Sequence, residues 1–510
     1  MLGSPGDATT RANTRRAAAT TEETETTQLL MRPAFNRRRS EMPYMSRTES
    51  SSINDEPKDR GDKYHAAFLI MYLQGIGVLF PWNAFITCTN YYNLRFAGTS
   101  VATSYESIFT TSFTLVGLVT IVALQWAQEC VSIRSRVVGG LLTQTLVFTV
   151  ASALAIQPLI LSDTEFETSI AASGERTFGV LVGCLCVAGM AQAVLTGSLM
   201  AYASVFNSPR YFQAISAGMG VAGLTVALAN FGTIASEAPV PPPNATPNAT
   251  SVAHDRGVVH GAALYFIFSL VLQVLCLVSF AVLEKLPFTV ACKRRLAGSY
   301  ADSVSGTAPL AMADAAGDDP EAPDTPAERS MGALLRALWP WAASLLLIYA
   351  VSIGLFPAYT ATIVASEGTA EWRRLFGALL FVVFNFGDTV GRNLPCSLRS
   401  RVVVLSLVVA RALFGPLFYL CRTSVAAAGG GAKPEVDSDA FPLVVMLIFA
   451  VSNGWLTTCA FMHAPSDVAP TERKRAGTLM VMFLNAGLTC GSLLSFAVKG
   501  LTCNCNPFVS

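Results

Sequence analysis

Two residues of opposite charge stand in an otherwise apolar stretch of the sequence, residues 375–398. Asp388 and Arg392 are four positions apart, so on a helix they share one face, one turn from each other. A charge at the centre of a bilayer is costly, and such residues usually face a polar interior and pair. Asp accepts hydrogen bonds and Arg offers a planar fork of donors, which suits a neutral ligand with several hydroxyls, such as a sugar. An ion pair that only fixes helix packing or a gate is the alternative.

The elements that must hold this pair are membrane helices. Of the 510 residues, 52% are hydrophobic and only 14% are charged, and the mean hydropathy is +0.47. Soluble proteins carry more charge than this. Long segments without Asp, Glu, Lys or Arg are each able to cross a hydrocarbon core of about 30 Å, namely 66–94, 107–128, 137–162, 177–209, 211–236, 257–283, 337–366, 440–466 and 476–498. With the two interrupted stretches 375–398 and 402–421, they predict an all-α polytopic membrane protein with eleven transmembrane helices.

The segments between these helices divide the chain into five parts. Residues 1–63 form a Thr-, Ser- and Arg-rich tail that we expect to be disordered. A long loop, 284–336, which we expect to be largely disordered, separates six helices over 64–283 from five over 337–498, and 499–510 form a short C-terminal end. A six-plus-five division is typical of a transporter whose two bundles rock around a central site. A flexible insertion without mechanistic meaning is the alternative.

The loops also predict the orientation of the chain. If the tail is cytoplasmic, the inner loops hold more Lys and Arg than the outer ones, as the positive-inside rule requires. Two glycosylation sequons begin at Asn244 and Asn248, after the fifth helix, and the same topology places them outside. We therefore expect a cytoplasmic N-terminus, an extracellular C-terminus and glycosylation at both asparagines. The plasma membrane is the first expectation for the location, and an internal vacuolar membrane is the second.

Other polar and aromatic groups punctuate the helices. Trp82 follows Pro81 in the first helix and offers a flat apolar face for a ring, or it belongs to an interfacial aromatic belt. Gln192 and Thr196 in the fourth helix are again four apart. They could present an amide and a hydroxyl to one cavity, or they could bond one helix to another.

Several stretches, read together, resemble the equilibrative nucleoside transporter family, and the match extends from about residue 62 to 498. They are Gly75 to Thr87 in the first helix, Gly197 to Leu199 with Gly218 to Gly223 in the fourth and fifth, Ser352 to Pro357 with Phe384 to Arg392 in the seventh and eighth, and Ser452 to Trp455, Ala476-Gly477 and Asn485 to Ser495 in the tenth and eleventh. Each stretch alone is a weak signal. Their order and spacing on an eleven-helix plan make the resemblance specific.

This resemblance implies a fold similar to the major facilitator bundle with one helix fewer. It also implies facilitative transport of nucleosides, or also nucleobases, by alternating access. Asp388 and Arg392 would engage the ribose, and Trp82 would pack against the base. The substrate-binding residues implied by it, together with the Gln192 and Thr196 pair, are Trp82, Asn83, Ile86, Gln192, Thr196, Phe356, Phe381, Asn385, Asp388 and Arg392. Many family members have a base-reading Gln where this chain has Thr196, and Gln192, one turn earlier, is the candidate substitute.

Other classes of function find less support in the sequence. There is no phosphate-binding loop and no nucleophile–base pair, and Cys459 with His463 gives two ligands of one helix face, too few for a zinc site. We expect a carrier with no enzymatic activity, cofactor or metal. The net charge of +1 argues against a nucleic-acid polymer as partner. A proton-coupled nucleoside or nucleobase symporter is the chief alternative, followed by a polytopic receptor or scaffold.

Overall fold

The computed structural model describes residues 61–503 except 103, 128–129, 237–249, 306–328, 357–358, 367 and 424–435. Within these residues, eleven helices are long and apolar enough to cross a membrane, which confirms the predicted all-α plan. They are α1 (Ala66–Thr87), α2 (Tyr105–Ala127), α3 (Ile133–Ile156), α4 (Gly174–Ala203), α5 (Arg210–Ser236), α6 (Thr250–Lys285), α7 (Met331–Leu355), α8 (Ala370–Asn393), α9 (Arg401–Ala410, continued by a 3-10 turn and the helix Phe414–Tyr419), α10 (Ala440–His463) and α11 (Arg473–Cys503).

Polar residues outside the apolar segments set where the helices begin. The Asp62 carboxylate accepts hydrogen bonds from the backbone N–H groups of Ala67 and Phe68, at 2.9 and 3.1 Å, at the start of α1. The hydroxyl of Thr369 accepts from the N–H of Trp372 and begins α8. Such caps satisfy N–H groups that have no partner within the helix. Because the capping residues are polar, α8 begins several residues before the apolar stretch that predicted it.

The outward face of α6 remains exposed and apolar. On α6 the exposed side chains recur about once per turn, which is the pattern of a face turned to lipid. They include Leu264, Phe268, Val271, Leu275, Val278 and Val282. Apolar surface of this extent on the outside of the bundle fits a multi-pass membrane protein.

A helix that the sequence did not predict, Pro287–Ser305, follows α6 in the interval 284–336. It is anchored at its start, where the ring of Phe288 stacks on that of Phe206 with centroids 5.8 Å apart. Lys293 then pairs with Glu284 at the end of α6, at 2.6 Å. These contacts hold the first part of an interval that we expected to be largely disordered. The acidic remainder of the loop lies outside the described residues, as do nearly all of the tail 1–63 and the two sequon asparagines, Asn244 and Asn248.

The helices pack in two groups that meet along two seams. In the first group α1 packs on α5 and α6, and α4 lies between α2 and α3; in the second, α7 packs on α11 and α8 on α10. The groups meet where α5 contacts α8 and α10, and where α11 contacts α2 and α4. Glycines allow the closest approaches: a Cβ on Gly218 would lie 2.0 Å from the carbonyl oxygen of Tyr72, and one on Gly454 would lie 2.0 Å from that of Asp388. The candidate site lies beside the α5–α8 seam.

Candidate substrate site

Asp388 and Arg392 form a buried ion pair on one face of α8. The guanidinium Nε lies 2.7 Å from the carboxylate Oδ2. The two residues are 7% and 3% exposed. The structure therefore places the two charges as their spacing in the sequence predicted.

The carboxylate and the guanidinium are also held by other helices. Asn453 of α10 donates its amide Nδ2 to Oδ1 of Asp388 at 2.7 Å, so each carboxylate oxygen has its own donor. Arg392 donates through Nη1 to the hydroxyl of Ser216 at 3.0 Å and through Nη2 to the hydroxyl of Tyr349 at 3.4 Å. Ser216 belongs to α5, in the first group of helices, and Tyr349 belongs to α7, in the second. Arg392 thus bonds to both halves of the molecule.

A second buried arginine stands behind this pair. Arg411 of α9 donates to the hydroxyl of Ser352 at 2.7 Å and to Oδ1 of Asn453 at 3.3 Å. Ser352 in turn donates to the same Oδ1 at 2.6 Å. The sequence placed Ser352 and Asn453 in family-like stretches and marked Arg411 as an interruption of an apolar segment, but it assigned none of them to the site. No pattern within a single helix indicates this network, because its members lie on α7, α8, α9 and α10.

Two aromatic surfaces lie on opposite halves of the molecule. In the first half the rings of Trp82 and Phe113 stack, with centroids 4.1 Å apart and planes 23° apart. In the second half Phe356 stacks on Phe384 at 3.8 Å and on Phe381 at 5.2 Å. Trp82 and Phe381 are only half-buried, so each half has aromatic surface left for a flat ring. Phe113 and Phe384 were not among the predicted site residues.

Two asparagine amides lie close to Gly223 at the seam between the halves. A Cβ on Gly223 of α5 would lie 2.3 Å from Oδ1 of Asn385 and 3.9 Å from Nδ2 of Asn83. Nδ2 of Asn83 is buried and has no hydrogen-bond partner among the described residues. Asn385 donates to the carbonyl oxygen of Phe381, one turn earlier in α8, at 2.9 Å. Nδ2 of Asn83 is therefore a donor that remains available next to α8, the helix that carries Asp388 and Arg392.

The polar pair of α4 is linked by a hydrogen bond within the helix. Thr196 donates its hydroxyl to the backbone oxygen of Gln192 at 2.7 Å, so its proton is engaged within its own helix. Oε1 of Gln192 is buried and finds no donor among the described residues. The amide oxygen of Gln192 is therefore an acceptor without a donor among the described residues, and the hydroxyl oxygen of Thr196 can still accept a hydrogen bond. Ile86, one turn after Trp82, is half-buried, and no contact of its side chain with the ion pair is seen in the described part of the chain.

Comparison with known proteins decides the family. A family model described as "Nucleoside transporter" matches residues 182–500. The chain belongs to the nucleoside transporter family. Human equilibrative nucleoside transporter 2 is 28% identical to it over 492 residues, covering 88% of this chain and 99% of that protein. Equilibrative nucleotide transporter 8 of Arabidopsis thaliana is 28% identical over 452 residues, covering 87% of this chain and 97% of the relative.

One solved structure has a fold similar to that of this transporter. The proton:xylose symporter XylE of the major facilitator superfamily, bound to 6-bromo-6-deoxy-D-glucose, superposes with a TM-score of 0.54. The alignment covers 87% of this chain and 90% of that structure, at 11% sequence identity. At this identity the likeness concerns the fold alone, and it confirms the two-bundle, major-facilitator-like arrangement. Family and fold are those of transporters and not of enzymes.

The transporter's cysteines and histidines do not assemble into a metal centre within the residues that the structure describes, where no group of three or more His, Cys, Asp or Glu could hold an ion. His463 lies 3.2 Å through Nε2 from the carbonyl oxygen of Cys396. A cavity of about 480 Å³ beside these residues also has Pro209, Ser397, Arg399, Met462, Ser466 and Asp467 in its wall. None of its lining residues belongs to the network around Asp388, so it is separate from the candidate substrate site.

Proposed function

We propose that this protein carries nucleosides across a membrane by facilitated diffusion, with the Asp388–Arg392 pair as the ribose-binding element. The observation that carries the proposal is the position of Arg392, which bonds to Ser216 in one half and to Tyr349 and Asp388 in the other. A solute that engages this guanidinium contacts a group that bonds to both halves. Alternating access requires a link of this kind between solute binding and the movement of the halves.

The chemistry of the pair suits adjacent hydroxyls. An ionised Asp388 accepts hydrogen bonds from hydroxyl groups, while Arg392 donates to their oxygen atoms. Both side chains are held by further hydrogen bonds, so little ordering is needed when the solute arrives. If the ribose is read here, nucleosides are transported well and free nucleobases poorly, because nucleobases lack the hydroxyl groups that this pair would bind.

The aromatic surfaces are suited to the base. Trp82, supported by Phe113, offers one ring face, and Phe381, supported by Phe356, offers another on the opposite half. Base stacking on an aromatic side chain contributes about 1–3 kcal/mol in proteins that bind nucleic acid. The buried Oε1 of Gln192 and Nδ2 of Asn83 are the available polar groups that would distinguish one base from another.

One end of the bundle is closed in this conformation. Gln213 of α5 donates to the carbonyl oxygens of Arg392 and Leu394 at 3.3 and 3.2 Å, across the seam between the halves. At the same end Asn207 bonds to Arg473 of the other half. With a cytoplasmic N-terminus, this is the cytoplasmic end. The protein would then be in a conformation that is closed to the cytosol and receives solute from outside.

The network favours a carrier that does not move protons. Both carboxylate oxygens of Asp388 already accept hydrogen bonds, one from Asn453 and the other from the guanidinium of Arg392. The alternative is a proton-coupled symporter. We propose the plasma membrane as the location, with a cytoplasmic N-terminus, an extracellular C-terminus and glycosylation at Asn244 and Asn248.

Uptake in cells that lack their own nucleoside carriers tests the proposal. Cells expressing the protein should take up labelled adenosine, inosine or uridine saturably, and preloaded unlabelled nucleoside should accelerate the exchange. A protonophore should leave the initial rate unchanged. A rate that collapses with the protonophore would establish the proton-coupled alternative. Adenine uptake faster than adenosine uptake would contradict ribose recognition.

A further inference from the structure

Three side chains of α10 contact the short segment between α8 and α9. Trp455, Cys459 and His463 follow one another at intervals of four positions, so they share one face of the helix. Nε1 of Trp455 donates to the carbonyl oxygen of Pro395 at 3.0 Å, and Nε2 of His463 lies 3.2 Å from the carbonyl oxygen of Cys396. Between these two contacts, the thiol of Cys459 is hydrogen-bonded to the thiol of Cys396. Two cysteines that are far apart in sequence therefore have neighbouring side chains.

The two thiols, both free in the structure, differ in their access to solvent. Cys396 is half-buried and lies in the wall of the cavity of about 480 Å³ described above, whereas Cys459 is fully buried. Cys396 also lies between two membrane-spanning helices, outside both of them, and the hydrogen bond with Cys459 lowers the pKa of its thiol despite the opposing effect of burial. An accessible thiol that ionises more readily reacts first with an oxidant. Cys459 is then in place to react with the oxidised Cys396.

We propose that Cys396 and Cys459 are a peroxide-sensitive thiol pair that forms a disulfide and thereby slows transport. The sulfur of Cys396 attacks one oxygen of hydrogen peroxide and the O–O bond breaks. The products are a sulfenic acid and a water molecule, which carries away the thiol proton. The sulfur of Cys459 then displaces the hydroxyl group of the sulfenic acid, which leaves as a second water with the proton of the Cys459 thiol. The peroxide is reduced, and the two thiols are oxidised to one disulfide.

The segment that carries Cys396 also lies where the two halves of the molecule meet. Gln213 of the first half donates to the carbonyl oxygens of Arg392 and Leu394, just before Cys396 in the chain, at 3.3 and 3.2 Å. Opening of this end requires Gln213 to release these oxygens. A disulfide would fasten the segment to α10 and draw it towards that helix, because an S–S bond of about 2.05 Å is shorter than a hydrogen bond between thiols.

Restricting the segment in this way would slow a conformational step of the transport cycle, and such steps often limit the maximal rate. The effect on transport rests on the function proposed above. The formation of the disulfide does not, so the two can be tested separately.

Peptide mapping tests the disulfide itself. Membranes that contain the full-length protein would be treated with hydrogen peroxide, alkylated to block the remaining thiols and digested without a reductant. Mass spectrometry should find two peptides joined through Cys396 and Cys459, which dithiothreitol separates, and Cys459→Ala should not form them. Cys130 is exposed and reports that the oxidant has reached the protein. Absence of the joined peptides at a peroxide concentration that oxidises Cys130 would overturn the proposal.

Uptake measures the consequence for transport. Peroxide should lower the maximal rate of adenosine uptake by the wild type several-fold, and dithiothreitol should restore it. Cys396→Ser and Cys459→Ala each lack one sulfur, so both should transport normally and resist peroxide. If Cys459→Ala does not reach the membrane because its site is buried, Cys396→Ser decides. Cys130→Ser removes an exposed thiol outside the pair and should keep the wild-type response.

The outcomes separate the disulfide from the proposed function. A disulfide that forms without a change in the maximal rate would overturn the effect on transport. Equal inhibition of wild type and Cys396→Ser would overturn it as well, because another thiol would then be responsible. Failure of the untreated wild type to transport any nucleoside would instead contradict the proposed function, and the peptide map would still test the thiol pair.

Discussion

The side-chain amide of Asn453 donates a hydrogen bond of 2.7 Å to Oδ1 of Asp388, which joins α10 to the ion pair of α8. In Asn453→Ala this carboxylate oxygen and the guanidinium of Arg411 both lose a partner. Removing one member of a buried hydrogen bond to a charged group costs about 1.5–3 kcal/mol. We therefore expect the ratio of maximal rate to KM for adenosine to fall at least tenfold.

The matched control for this variant is Asn393→Ala. Asn393 lies at the end of α8, is exposed and donates to the backbone oxygen of Thr389. Initial rates of uptake, normalised to surface abundance, should be near the wild-type value in the control. Equal effects of the two substitutions would show that Asn453 has no special relation to the site.

Gly223 tests the close approach of α5 to α8. A Cβ there would lie 2.3 Å from Oδ1 of Asn385, which is shorter than any tolerable contact, so the Asn385 side chain must rotate. We expect Gly223→Ala to fold but to lose most of its adenosine uptake, about tenfold or more, because Asn385 stands one turn from Asp388. A Cβ on Gly232, in the same helix, would meet nothing within 4 Å, and Gly232→Ala should transport like the wild type. Normal uptake by Gly223→Ala would contradict a role for this junction.

Trp82 provides a test of base stacking. Trp82→Ala removes the ring that stacks on Phe113 at 4.1 Å and should raise the KM for adenosine about tenfold. The control is Trp126→Ala, since Trp126 at the end of α2 is 76% exposed. Competition by a series of purine and pyrimidine nucleosides would show whether the loss is shared by all bases. If the KM is unchanged in Trp82→Ala, the base lies elsewhere.

Arg136 in the first turns of α3 provides a test of stability. It is 5% exposed, and none of its three guanidinium nitrogens has a hydrogen-bond partner among the described residues. Replacing buried ion pairs by apolar side chains of similar volume is often neutral or stabilises proteins by about 1–4 kcal/mol, and Arg136 has no such pair to lose among the described residues. We expect Arg136→Met to raise the unfolding temperature of the purified protein in detergent. Tryptophan fluorescence during heating measures this temperature.

Arg134, two positions before Arg136, supplies the comparison. The side chain of Arg134 is 72% exposed, so Arg134→Met should change the unfolding temperature little. A lower unfolding temperature in Arg136→Met would mean that the guanidinium is stabilised in the native state by groups beyond the described residues.

Spacing along the chain predicted the helices and the pairing of Asp388 with Arg392, because both depend on periodicity within one element. The remaining contacts of the site join residues far apart in sequence. Asp388 and Asn453 are separated by 65 positions, and no local pattern indicates that they meet. Arg411 was visible as a charge in an apolar segment, and charges of that kind inside a membrane are functional candidates by default. Applied to Arg411, that rule would have identified it as a candidate site residue.

Two other features that the sequence did not determine, the helix Pro287–Ser305 and the bonding of the Thr196 hydroxyl, have local causes. The helix Pro287–Ser305 was missed because its basic run and its acidic sequel indicated a loop, whereas the contacts of Phe288 and Lys293 stabilise it. The sequence left open whether Thr196 faces the cavity, and in the structure its hydroxyl donates to the carbonyl oxygen of Gln192, as a hydroxyl in a helix readily does to the residue four positions earlier. The departure of this chain from the family pattern therefore makes Gln192 the residue to examine for base preference.

The most direct test of the central claim is the uptake of labelled adenosine by wild type and Asp388→Asn at matched surface abundance, in cells without other nucleoside carriers. Asn keeps the shape of the side chain but removes the charge that Arg392 binds. Asp437→Asn, with a parent side chain that is 67% exposed, is the control. We predict saturable uptake by wild type and control and a loss of about a hundredfold in Asp388→Asn, consistent with about 3 kcal/mol for a broken buried pair. Uptake by Asp388→Asn equal to that of the wild type would contradict the proposed binding of the ribose by Asp388 and Arg392.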